Sequence, residues 1–247
     1  MGLVSFTIAM VIGLLVGSFL NASAYRIGQA MTNGVVSMFS PKRSTCPACQ
    51  HTLSILELIP IVSYLIQGGK CKHCQVKIPL QYPLVEVFTA FITTIVFVKW
   101  GGGYQTLFIL VFCCALIVLF LIDLEHQLLP NIITLPLIVI GLWFNYESGF
   151  VVLQDAVIGS VLGYLVLWSV FWGYRRFKNI EGMGYGDFKL TAALGAWLGW
   201  QSLPMLLLIS SILGIVYFSI FIRRRDQVFA FGPFLSLAGI VWLFVNY

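Results

Sequence analysis

Tyr104-Gln105-Thr106-Leu107-Phe108-Ile109-Leu110-Val111-Phe112-Cys113-Cys114-Ala115-Leu116-Ile117-Val118-Leu119-Phe120-Leu121-Ile122-Asp123 decides the fold. Nineteen residues without a charge end on an aspartate. An apolar run of about 20 residues has the length of a membrane-crossing helix. Working outward, seven further apolar runs cover about 3–25, 83–99, 131–147, 151–173, 186–200, 202–222 and 228–246. The 247 residues are 60% hydrophobic and 9% charged, with a mean hydropathy of +0.96. A soluble domain would carry about a quarter charged residues. The expected fold is an all-α polytopic membrane protein of about eight transmembrane helices with a cytoplasmic zinc-ribbon-like loop. The run 3–25 is too long for a signal-peptide core and lacks a basic leader, so it reads as a retained span. Three domains are expected: 1–26 as the first transmembrane helix, 27–82 as the loop, and 83–247 as the remaining membrane domain.

Positive charge orients such a chain, because Lys and Arg are retained on the cytoplasmic side. With eight spans, one side receives Arg26, Lys42, Arg43, Lys70, Lys72, Lys77, Arg175, Arg176, Lys178, Lys189, Arg223, Arg224 and Arg225. Lys99 alone falls on the other. Both termini are therefore expected outside, with the long loop at the cytoplasmic face. The net charge of +5 reflects this bias and some affinity for anionic membrane lipid. Nucleic acid is not an expected partner, since no basic stretch is interleaved with aromatics.

The loop carries Cys46-Pro47-Ala48-Cys49 and Cys71-Lys72-His73-Cys74, separated by 21 residues. Two C-x2-C knuckles at this spacing match a zinc ribbon, in which four thiolates close a tetrahedral structural site. Two disulfides would satisfy the same spacing, but a cytoplasmic loop stays reduced. His51 and His73 read as knuckle or surface residues. Cys113 and Cys114, in mid-span, read as packing residues.

Two carboxylates stand at span ends. Asp123 closes the third span, at a helix C-terminus whose dipole opposes a negative charge. Asp187 opens the sixth, within Gly182-Met183-Gly184-Tyr185-Gly186-Asp187-Phe188-Lys189-Leu190. Lys189 is no partner for it, because residues two apart on a helix do not face one another. An ionisable residue in a membrane segment is first a functional-site hypothesis. The alternating glycines offer bare backbone, which Gly184 and Gly186 would present to an extended peptide by strand addition. Two carboxylates sharing a water do not both ionise easily, which suits acid–base chemistry.

In these motifs the chain resembles the type IV prepilin peptidases, membrane aspartyl proteases of the GxGD type. The likeness runs through Gly17 to Arg26, both knuckles with Ile59-Pro60 between them, Tyr82-Pro83 with Glu86, Asp123 with Leu129-Pro130, Gly184 to Leu190, and Phe231-Gly232-Pro233-Phe234. Gln81 departs from it, standing where the family pattern has Arg. The resemblance implies that Asp123 and Asp187 are catalytic. It implies cleavage of type IV prepilin or pseudopilin precursors at a Gly–Phe junction, at the bacterial inner membrane. It also implies N-methylation of the new amino terminus from S-adenosyl-L-methionine, with Glu57, Glu86, Asn21 and Arg26 as candidate cofactor residues. From the residues alone, a transporter with a cytoplasmic zinc module also stands, although halves 1–125 and 126–247 show no repeat. A peptidase without methyl transfer is the other alternative.

Overall fold

The structure, a computed structural model, describes residues 3–33, 44–147, 149–178, 184–221 and 230–247. Gly182, Met183, Lys42, Arg43, Arg223, Arg224 and Arg225 lie outside the described residues. Each of the eight apolar runs forms a helix: α1 (Leu3–Asn33), α3 (Gln81–Trp100), α4 (Tyr104–His126), α5 (Asn131–Glu147), α6 (Leu153–Lys178), α7 (Tyr185–Leu198), α8 (Leu203–Phe221) and α9 (Gly232–Asn246). Between the knuckles lie a 3-10 turn at Leu56–Leu58 and the short α2 (Val62–Ile66). Among the described residues no strand forms; two isolated bridges, Thr45 with Thr52 and Lys70 with Lys77, stand in the loop.

Five helices are long and apolar enough to cross a membrane: α1, α3, α4, α6 and α8 with the turn that precedes it. Helices α5, α7 and α9 are shorter, at 17, 14 and 15 residues. At 1.5 Å rise per residue, α7 reaches only about 21 Å, against a hydrocarbon core of about 30 Å. Eight helices thus stand where eight spans are expected; five are long and apolar enough to cross a membrane, α5 and α9 are apolar but shorter, and α7 is in neither group. Helices outrun their apolar segments at several ends: α1 continues to Asn33, α4 to His126 and α6 to Lys178.

The chain divides into two compact units, Met1–Cys114 and Ala115–Tyr247. In the first, α1 lies along α3 through Gly13 and Gly17, one helical turn apart. A Cβ on Gly13 would stand 2.5 Å from Ala90 Cα, and one on Gly17 2.8 Å from Glu86 Cα. Without an apolar driving force in lipid, such small residues are what let backbones meet. The opposite face of α1, with Val4, Ile8, Val11, Leu15 and Phe19, is exposed and suits lipid.

The second unit is built around α7. From Asp187 to Leu198 every side chain except Lys189 is buried, with α5, α6 and α9 packed around the helix. Gly159 and Gly163 of α6 repeat the small-residue spacing: a Cβ on Gly163 would stand 2.6 Å from Thr191 O, and Gly159 and Gly195 meet backbone to backbone. On the α5 side, Trp197 Nε1 donates to Leu137 O at 2.8 Å and its ring fills the space beside Gly141. A wholly protein-lined helix tolerates polar residues that lipid would not. In the first turn of α6, Asp155 accepts from Trp200 Nε1 and Gln201 Nε2 at 3.0 Å each.

Candidate functional site

Asp123 lies in the last turn of α4 and Asp187 in the first turn of α7. Both are buried, at 5% and 7% exposure. Leu129 packs against both Gly186, next to Asp187, and Gly232, which lies on Asp123 Oδ2, so the two span-end carboxylates belong to one site. Asp123 Oδ2 is buried with no hydrogen-bond partner among the described residues. The main chain of Gly232, at the start of α9, lies against this carboxyl: a Cβ there would stand 2.6 Å from Oδ2. Leu129 completes the enclosure. Gln127, at φ 55, turns the chain out of α4. Leu129 then fits against Gly186, whose Cβ would be 2.7 Å from Leu129 Cβ, and against Gly232, whose Cβ would be 3.2 Å from Leu129 Cδ1.

Among the described residues, the nearby charges His126 and Lys189 have other partners. Although α4 continues to His126, the His126 Nε2 stands 3.8 Å from Glu125 Oε2. Lys189 Nζ donates to Asn131 Oδ1 at 2.7 Å. Of the two glycines expected to offer backbone, Gly184 is extended (φ −79, ψ 146) and exposed. Gly186 is already helical, with its bare Cα taken up by Leu129.

The four loop cysteines converge, all sulfurs within 4.8 Å of one another. Cys46 Sγ and Cys74 Sγ are 3.8 Å apart. That is the edge of a tetrahedron whose corners lie about 2.3 Å from a central zinc, about 3.8 Å. The knuckles repeat one another. Gln50 N donates to Cys46 O and Gln75 N to Cys71 O, at 2.9 Å each. Cys46 N donates to His51 O and Cys71 N to Val76 O, again at 2.9 Å. Gln50 and Gln75 take matching left-handed φ of 58 and 59. Backbone N–H groups of Cys74 and His73 aimed at the Cys71 sulfur hold its thiol down to about 7, favouring the thiolate that binds metal. The donor set and its spacing fit zinc.

Between this loop and helices α1 and α3 lies a cavity of about 230 Å³, lined by Arg26, Glu57, Tyr64, Lys77, Tyr82 and Glu86 among others. Glu86 is 7% exposed, and its Oε2 accepts from Ile61 N at 2.8 Å. Ile61 has φ 60 and ψ −49, a costly conformation for a β-branched residue. Among the described residues no basic side chain pairs with Glu86. Of the four candidate cofactor residues, Arg26, Glu57 and Glu86 line the cavity. Asn21 stands beside it as a brace, its Nδ2 donating to Tyr82 O at 3.1 Å.

The chain is 42% identical over 261 residues to a prepilin leader peptidase/N-methyltransferase of Aeromonas salmonicida, covering 96% of this chain and 90% of that protein. It belongs to the type IV leader peptidase family. The family model matches residues 110–219, and that of the bacterial peptidase A24 N-terminal domain matches 11–100. Proteins of the same name from Pseudomonas aeruginosa (42% identity, 95% of this chain, 88% of that one) and Neisseria gonorrhoeae (41%, 97% and 90%) are similarly close. No solved structure matches the chain. Both carboxylates of the pair fall within the segment matched by the peptidase family model, and the cysteines and Glu86 within the N-terminal match.

The parts that two residues play at these sites cannot be read from their types. Ile61 follows a proline but nothing in its type announces a left-handed backbone. Leu129 is an ordinary apolar residue in a turn, and its fit between two glycines appears only in three dimensions.

Proposed function

We propose that this family member cleaves the leader from type IV prepilin or pseudopilin precursors and methylates the new amino terminus. The observation that carries the first half is the buried pair Asp123 and Asp187, with an oxygen of Asp123 left without a partner. One carboxylate, ionised, takes a proton from water, and the other donates to the carbonyl of the scissile Gly–Phe peptide. The roles belong to the coupled pair and not to either residue alone. Gly184, extended and exposed, offers backbone to the leader. Gly186 keeps that approach tight by admitting Leu129.

Methyl transfer is assigned to the N-terminal unit, with S-adenosyl-L-methionine in the cavity beside the loop. The lining suits a zwitterionic sulfonium: Glu86 for its positive charge, Arg26 for its carboxylate, tyrosine rings for the base and cation, with Asn21 bracing the wall. Zinc at Cys46, Cys49, Cys71 and Cys74 is structural and shapes the loop. The chain sits in the bacterial inner membrane, and the charge bias puts the loop and both aspartates at its cytoplasmic face.

Mass spectrometry of the amino terminus of a coexpressed prepilin tests both halves. The wild type yields cleaved, methylated pilin. Asp123→Ala and Asp187→Ala each leave it unprocessed, and substantial cleavage by either removes the assignment. Cleaved but unmethylated pilin from the wild type removes the second activity and keeps the first.

A further inference from the structure

His51 and His73 break the repeat that the two knuckles otherwise keep. Twenty-five residues apart, Cys46 matches Cys71, Cys49 matches Cys74 and Gln50 matches Gln75. His73, however, stands where the first knuckle has Ala48, and His51 where the second has Val76. A repeat that only holds one ion in four thiolates needs neither imidazole. The two rings meet with centroids 3.5 Å apart and planes tilted by 35°.

A third group faces them. Glu57 Oε2 accepts from both the N–H and the hydroxyl of Ser54 at 2.8 Å each. That leaves Oε1 turned to His73 Nε2 at 3.9 Å. The Ser54 donors hold the Glu57 carboxyl below its usual range. Ligand atoms of His51, Glu57 and His73 all lie within 4.8 Å of one another. Two imidazoles and a fixed carboxylate gathered this closely form a metal donor set.

We infer that His51, His73 and Glu57 form a second divalent-metal site. Two imidazoles and one carboxylate suit a zinc-class ion with coordination positions left open to water. The Ser54 hydrogen bonds serve as the outer shell that orients the carboxylate. Because Glu57 also lines the cavity, an ion held there stands at the cavity's edge. The inference goes beyond the two activities and does not depend on either.

Metal content of the purified full-length protein in detergent tests it, after exposure to excess zinc and removal of free ion. About two ions per chain are expected in the wild type. The variant carrying His51→Ala and His73→Ala retains about one, and so does Glu57→Gln, whose histidines remain. With cobalt, all three proteins keep the thiolate charge-transfer absorption of the four-cysteine site, which reports that the knuckles are folded. About one ion in the wild type overturns the site, as does an undiminished two in either variant.

Discussion

Gly232 lies with its Cα against the carboxyl of Asp123, so close that a methyl group there would stand 2.6 Å from Oδ2 and 3.1 Å from Cγ. No carboxylate tolerates that distance without moving. Gly232→Ala is therefore expected to displace Asp123 and slow leader cleavage by about 10- to 100-fold, since misplacement by about 1 Å costs on that order. Methylation of a pre-cleaved pilin serves as the comparison and stays near wild type. Equal losses in both assays would mean that the variant disturbs the fold and not the pair.

Glu86→Gln keeps the shape of the side chain and an acceptor for the Ile61 N–H while removing the charge. Methyl transfer is expected to fall by about 10- to 100-fold, the range for losing a charged hydrogen-bonding partner. Cleavage is unaffected. Undiminished methylation in a quantitative mass-spectrometric assay would place the donor elsewhere.

Metal retention depends on pH through the thiolates. The Cys71 thiol is held down to about 7, below the ordinary thiol value of about 8.5. A lowered acid stabilises the folded knuckle above its unfolded pKa and loses that stabilisation as pH falls through the folded one. The Cys74 thiol is pushed the other way, up to about 11, so zinc affinity should fall throughout as pH drops, and most steeply below about 7, where protons compete for Cys71 as well. A chelator titration across this range reads the effect, and flat affinity down to pH 5 would contradict it.

Gly195 and Gly159 hold α7 against α6. Gly195→Leu forces a side chain into backbone and is expected to cost about 1–3 kcal/mol or more, lowering accumulation in membranes and thermal stability in detergent. Gly173, on the same helix as Gly159, has nothing within 4 Å of a would-be Cβ. Gly173→Ala should be neutral or stabilising by up to about 1 kcal/mol. Similar losses in both variants would show that the crossing has no special tightness.

Much of this architecture is legible in the residues. The apolar runs mark the helices because a membrane demands long uncharged stretches, and the cysteine spacing marks the knuckles because two-residue gaps fit one ion. Asp123 and Asp187 stand out because a charge at a span end is unusual. Helix ends read less well: α1 and α4 continue past their apolar runs, since hydrogen bonding carries on after lipid contact stops. Hydropathy alone gives α7 no more than a span, whereas in the fold its surface belongs to other helices. His51, His73 and Glu57 meet only because the fold brings both knuckles and the turn at Leu56–Leu58 together, which spacing along the chain does not reveal.

The enclosure of α7 bears on how the protein is made. A helix of 14 residues, bearing a carboxylate and covered on all sides by its neighbours, offers lipid almost nothing to recognise during synthesis. Its entry into the bilayer must be carried by α5 and α6, which leave the ribosome first, and completed by α8 and α9. Asp123 and Asp187 can meet only once α7 has been made, so a chain interrupted after α6 holds one carboxylate of the pair without the other.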